Sequence, residues 1–200
     1  MNQNQKQLLR QVKKFVEQLF SEKINNRFAF HNIRHTKNVV HAAKKIARHY
    51  KLINNDEFAL IAAAWFHDTG FCNGVVERHE TRSKAIARKF LRNEISEKTI
   101  LKILSCINAT RMPQKPSVLI EKIICDADLY HLGTKQYRKL SLLLKKEREE
   151  YYHIKIPSDE WIKNDTTFLI SHQYFTRYCQ KYLEPVALQW LQKLLDAADE

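Results

Sequence analysis

Residues 62–71 read AAAWFHDTGF. Three alanines with Trp65 and Phe66 mark a segment that enters a core. His67 and Asp68 then stand side by side, followed by Thr69 and Gly70, where the chain turns away. Burying an imidazole or a carboxylate without a partner costs free energy. The pair therefore either shares a partner, a metal ion being one, or reaches solvent at a helix end. The dipeptide alone decides nothing, because roughly 0.36 His-Asp pairs are expected by chance in a chain of this composition.

The rest of the chain narrows the choice. Two hundred residues suit one domain and are enough to bury a core without staples. Only 3 Gly and 4 Pro are present, too few for the tight turns of a sandwich or barrel. An all-α chain with short connections, one domain over residues 1–200, is the expectation. Cys72, Cys106, Cys125 and Cys179 form no CxxC pair and read as reduced thiols of a cytoplasmic protein. The N-terminal stretch MNQNQKQLLRQVKKF has no apolar run of the signal-peptide kind, and no segment approaches the roughly 18 apolar residues of a membrane span. The net charge of +12 suits an anionic small molecule or a nucleic acid. Because the basic residues are spread along the chain and no RNA-binding or zinc-finger pattern occurs, the small anion is favoured over nucleic acid.

Periodicity predicts a helix over 5–22, with Leu8, Leu9, Val12, Phe15, Val16, Leu19 and Phe20 at helical spacing. A polar turn over 22–27 follows. Val39, Val40, Ala43, Ile46, Ala47 and Tyr50 form the stripe of the next helix. The Asn-Asn-Asp run at 54–56 offers an N-cap for a helix over 56–68. Helices over about 79–93 and 96–110 come next, the second capped by Ser96, and Pro113 and Pro116 make a loop. A helix over 117–132 stops at Gly133. Helices over 134–151, 158–177 and 179–197 complete the chain.

Two further stretches carry chemistry. FHNIRHT at 30–36 puts His31 and His35 four residues apart, within about 40° on one face if the segment is helical. ICDADLYHLG at 124–133 places Asp126 behind two isoleucines and a cysteine, where a buried carboxylate needs a cation or donors; Asp128 is the alternative buried carboxylate. His172, in FLISHQYFT, reads as a core histidine, and His41 and His49 as ordinary ones.

In order, His35, His67-Asp68 and Asp126 spell H…HD…D, each in an apolar helical stretch. From about residue 28 to 180 the chain resembles the HD-domain superfamily of metal-dependent phosphohydrolases. The resemblance implies a helical bundle with a divalent metal held by His35, His67, Asp68 and Asp126. HNIRH is similar to the HNxxH element of the cyclic-nucleotide phosphodiesterase branch, which implies that His31 is the general acid. Together with His79-Glu80, Ala-Thr-Arg at 109–111 and CDADLYHLG, the chain looks most like small bacterial proteins predicted to be HD phosphohydrolases. Where the two-metal branches place a further histidine this chain has Asn108-Ala109-Thr110, so one tightly bound ion is expected. HDTGFCN also lacks the Glu of the 5′-nucleotidase branch, the HDxxED of the guanosine-tetraphosphate hydrolases and the Lys of HDIGK.

Two imidazoles and two carboxylates suit Mn, Fe, Co, Ni, Zn or Mg rather than a thiolate-loving ion. The expected activity is hydrolysis of a nucleotide or related phosphate ester by a metal-activated water. Asp68 takes the water's proton, and Arg111, His79 and Lys37 contact substrate. The alternative is a non-catalytic HD module that binds nucleotide or nucleic acid as a sensor.

Overall fold

The computed structural model describes residues 1–24 and 27–196, and among these it forms ten α-helices and no strand. Residues 25 and 26 of the expected polar turn, and residue 197 of the last expected helix, lie outside the described residues. The chain divides into two compact units, Met1–Asn25 with His31–Asp128, and Asn26–Phe30 with Leu129–Glu200.

The first unit contains α1 (Gln3–Lys23), α2 (Ile33–His49), α3 (Asn54–Phe66), α4 (His79–Leu91), α5 (Glu97–Ala109) and α6 (Leu119–Asp128). A short 3-10 turn, Thr69–Asn73, joins α3 to the loop before α4. Its centre is α3. Every residue from Phe58 to Phe66 is buried, so this helix is apolar on all sides. It packs against α1, α2, α4, α5 and α6. Those helices are amphipathic: α1 turns Leu8, Val12, Val16 and Phe20 inward, and α2 turns in Val39, Val40, Ala43, Ile46 and Ala47. Each of these Leu, Val, Ile and Phe side chains, fully buried, contributes about 1.5–3 kcal/mol.

Local capping starts several of these helices. Asn2 and Gln5 form a reciprocal capping box on α1, and the Ser96 hydroxyl accepts from Thr99 N at 3.4 Å on α5, as expected. The expected Asn-Asn-Asp cap on α3 is not made. Ile53 precedes the helix without a side-chain cap, and Asp56 and Glu57 sit in the first turn, where they complement the helix dipole.

The second unit contains α7 (Tyr137–Tyr152), α8 (Ser158–Ser171), α9 (Arg177–Tyr182) and α10 (Glu184–Asp196). Trp161 Nε1 donates to Ser141 Oγ at 2.9 Å, and that hydroxyl donates to Asp165 Oδ2 at 2.5 Å. Trp190 Nε1 donates to the Thr134 carbonyl at 2.9 Å.

The structure corrects three boundaries. The helix expected over 117–132 ends at Asp128 and continues as a 3-10 turn, Tyr130–Gly133. Gly133 is not a left-handed stop. A Cβ there would fall 2.4 Å from Leu183 Cβ and 2.6 Å from its carbonyl oxygen, so the residue is small because another backbone passes close. The helix expected over 158–177 ends at Ser171, and Thr176 caps a new one by accepting from Cys179 N at 3.2 Å. Pro185, which lacks an N–H and crowds the carbonyl four residues back, splits the expected 179–197 helix into α9 and α10.

His172 is a largely buried histidine, as expected of a core position, but its Nε2 meets no hydrogen-bond partner. It packs edge-on against Tyr174 at 4.6 Å, and burial pushes its pKa down to about 4.

Candidate metal centre

Two helix C-termini meet in the first unit. His67 caps the end of α3, and Asp128 is the last residue of α6. The negative ends of both helix dipoles thus favour a cation where these side chains converge.

His67 is fully buried, and its Nδ1 donates to the Ala64 carbonyl at 3.0 Å. That bond fixes the neutral tautomer and leaves the Nε2 lone pair facing inward. It faces two acceptors, Asp68 Oδ2 at 3.1 Å and Asp128 Oδ1 at 3.5 Å, and the ring nitrogen His35 Nε2 at 3.4 Å. His35 Nε2 in turn lies 3.0 Å from Asp128 Oδ1 and 3.3 Å from Asp68 Oδ2. Lone pairs this close repel unless a proton or a metal cation sits among them. Although two ring nitrogens lie near it, the buried Asp68 Oδ2 accepts no aligned hydrogen bond. That geometry suits a metal better than a proton. His35, His67 and Asp128 each offer one atom within 4.8 Å of the others and can hold a metal ion.

The electrostatics point the same way. Burial alone would lower the His67 pKa, but the charges of Asp68 and Asp128 outweigh it and raise the pKa well above the ordinary value. Burial would raise Asp68 and Asp128, yet the neighbouring imidazoles hold both well below the usual carboxylate range. The pocket therefore keeps its carboxylates ionised and retains positive charge, which a proton supplies when no metal is bound.

The carboxylate from α6 that meets the imidazoles is Asp128 and not Asp126, which corrects the sequence expectation. Asp126 is fully buried in α6, but two residues along a helix is a rotation of about 200°, so the two carboxylates leave on opposite sides.

His31 lies outside the helix. Asn32 caps α2, its Oδ1 accepting from Arg34 N at 2.9 Å and His35 N at 3.4 Å. His31 still reaches the centre, with its ring 5.8 Å from that of His35. His79, the first residue of α4, donates Nδ1–H to the Val76 carbonyl at 3.1 Å and brings Nε2 to 3.6 Å from Asp68 Oδ1. Glu80 is buried with Oε1 3.6 Å from His79 Nε2.

Gly70 lies in the Thr69–Asn73 turn, where the chain turns away as expected. A Cβ there would stand 2.0 Å from the His79 carbonyl oxygen, so its smallness lets α4 start against the HD turn. Gly70 N donates to Ser83 Oγ at 2.8 Å, and Arg82 donates to the carbonyls of Gly70, Val75 and Glu77. The loop behind His67-Asp68 is thereby pinned on both sides.

Of the expected substrate contacts, Lys37 is half exposed and pairs with Glu17 at 2.7 Å, because two residues beyond His35 it leaves the far side of α2. Arg111 is exposed on the loop after α5. The four cysteines are buried thiols, and no helix among the described residues is long and apolar enough to cross a membrane.

A comparison with protein families matches the HD domain over residues 32–133, just over half the chain and the span that holds His35, His67, Asp68 and Asp128. No curated protein and no solved structure matched the chain. On the family match, the chain belongs to the HD-domain family.

Proposed function

We propose that the protein is a metal-dependent phosphohydrolase that acts on a nucleotide or related phosphate ester. The convergence of His35 Nε2, His67 Nε2 and Asp128 Oδ1, with Asp68 Oδ2 beside them, carries this reading in a chain of this family. His35, His67 and Asp128, joined by Asp68, hold one divalent ion from the set Mn, Fe, Co, Ni, Zn or Mg. When bound, such an ion polarises a phosphoryl oxygen and lowers the pKa of water.

The chain's own side chains do the rest. Asp68 accepts the hydrogen bond and then the proton of the attacking water. His31, beside His35, gives a proton to the leaving oxygen. His79, one-fifth exposed, contacts the phosphate from the open edge. The net charge of +12 draws an anionic substrate toward the centre. The buried thiols, none in a disulfide, support action in the cytoplasm.

The test is metal content of freshly purified protein, followed by turnover of the metal-loaded sample on a panel of phosphomonoesters and diesters. Stoichiometric metal with hydrolysis of one ester class is the expected result. Metal without turnover on any ester would favour a nucleotide-binding sensor. Absence of metal even after reloading with Mn, Fe, Ni or Zn would overturn the reading.

A further inference from the structure

The Phe71 ring, 1 % exposed, touches both histidines that flank the metal centre. His31 stacks on it with centroids 4.4 Å apart and planes inclined by 16°. His79 stacks at 4.1 Å and 26°. The two imidazoles are themselves 6.4 Å apart and inclined by 41°. His79 Nε2 stands 3.6 Å from Asp68 Oδ1, and the His31 ring lies 5.8 Å from that of His35.

Each imidazole sits at the start of its element, and His79 Nδ1 also bonds the Val76 carbonyl. His31 precedes the cap of α2, and His79 opens α4. Phe71 belongs to the 3-10 turn directly after His67-Asp68, and the bonds from Ser83 and Arg82 to Gly70 pin that turn. One rigid ring thus connects the segment that carries two centre residues to both flanking histidines.

We propose that Phe71 is a positioning residue, the shared stacking surface that aims His31 and His79 at the reacting phosphate. This rests on the phosphohydrolase reading above. An aliphatic side chain of similar volume fills the space but offers no flat face, so both rings lose their stacking surface and turn more freely about their remaining contacts.

The experiment compares wild type, Phe71→Leu, Phe71→Tyr, His31→Ala and the double variant Phe71→Leu with His31→Ala, all in metal-loaded form. The substrates are aryl phosphodiesters whose leaving phenols run from p-nitrophenol to phenol. Phe71→Leu is expected to keep its metal and lower kcat on the phenol ester by on the order of tenfold, with little change in KM or on the p-nitrophenyl ester. A general acid contributes about 10²–10⁴-fold, and least where the leaving group needs no proton. Phe71→Tyr, which keeps the ring, restores the wild-type pattern. In the His31→Ala background the leaving-group effect of Phe71→Leu disappears.

A second readout does not need turnover. Stacking on Phe71 shifts the His31 and His79 ring-proton NMR signals upfield, and Phe71→Leu returns both toward ordinary positions while Phe71→Tyr does not. Unmoved signals, or an equal loss on all esters, would overturn the positioning role. An inactive wild type with shifted signals would defeat the phosphohydrolase reading and leave the stacking device standing.

Discussion

Gly70→Ala tests the packing that sets His79 beside the HD pair. The new Cβ would lie 2.0 Å from the His79 carbonyl oxygen, 2.8 Å from its carbonyl carbon and 3.0 Å from its Cα. All three are backbone atoms, so no side-chain rotation relieves the clash. To reach ordinary contact at 3.4 Å the two backbones must part by about 1.4 Å. They are held together by Gly70 N to Ser83 Oγ and by Arg82 Nε to the Gly70 carbonyl, at 2.8 and 3.0 Å. Overpacking of this kind costs about 1–3 kcal/mol. At about 2–4 °C per kcal/mol for a chain of this size, Tm falls by roughly 2–12 °C.

The same displacement carries His79 away from Asp68, but it leaves His35, His67 and Asp128 in place. Thermal unfolding by circular dichroism, with metal content measured on the same samples, checks both parts. Lower Tm with unchanged metal stoichiometry is expected. Gly74→Asn is the control, because its φ of +75° lies in the left-handed region that Asn tolerates and nothing stands within 4 Å of a Cβ there. A Gly70→Ala protein that melts within about 1 °C of wild type would refute the close-approach argument.

Asp128→Asn should abolish stoichiometric metal binding and Asp126→Asn should preserve it, as read by elemental analysis after gel filtration; the reverse pattern would restore Asp126 as the ligand. Metal binding should release a proton near neutral pH, because His67 has its pKa raised in the metal-free centre and must lose that proton to ligate. Titration calorimetry in buffers of different ionisation enthalpy would then give different observed heats, and equal heats would contradict it. His172 titrates near 4 in the fold against about 6.5 unfolded, so its contribution is complete above about pH 6.5 and is lost as pH falls toward 4. The loss amounts to about 3 kcal/mol at most. Urea unfolding at neutral and acidic pH should show this slope in wild type and a flatter one in His172→Phe, and identical slopes would count against the assignment.

Much of the fold could be read along the chain. The stripes of α1 and α2, the Ser96 cap and the apolar run of α3 are local signals, since helical periodicity and capping involve residues within four positions of one another. The cut between α9 and α10 is an equally local signal, carried by Pro185. The division into two compact units carries no such mark, because no Gly-, Pro- or Ser-rich linker precedes residue 129.

The sequence by itself determined that the chain is helical, that His35, His67 and Asp68 sit at the edges of apolar segments, and that an H…HD…D order exists. Only the tertiary structure decided which α6 carboxylate closes the centre. Asp126 and Asp128 have the same chemistry and stand on either side of Ala127 in one apolar stretch, and they differ in the direction each leaves the helix. It alone showed that Gly70 and Gly133 are small because another stretch of backbone passes within contact, and that Phe71 stacks with two histidines, His31 and His79, that come from different segments. Direction and close approach belong to pairs of segments, and no single segment encodes its partner.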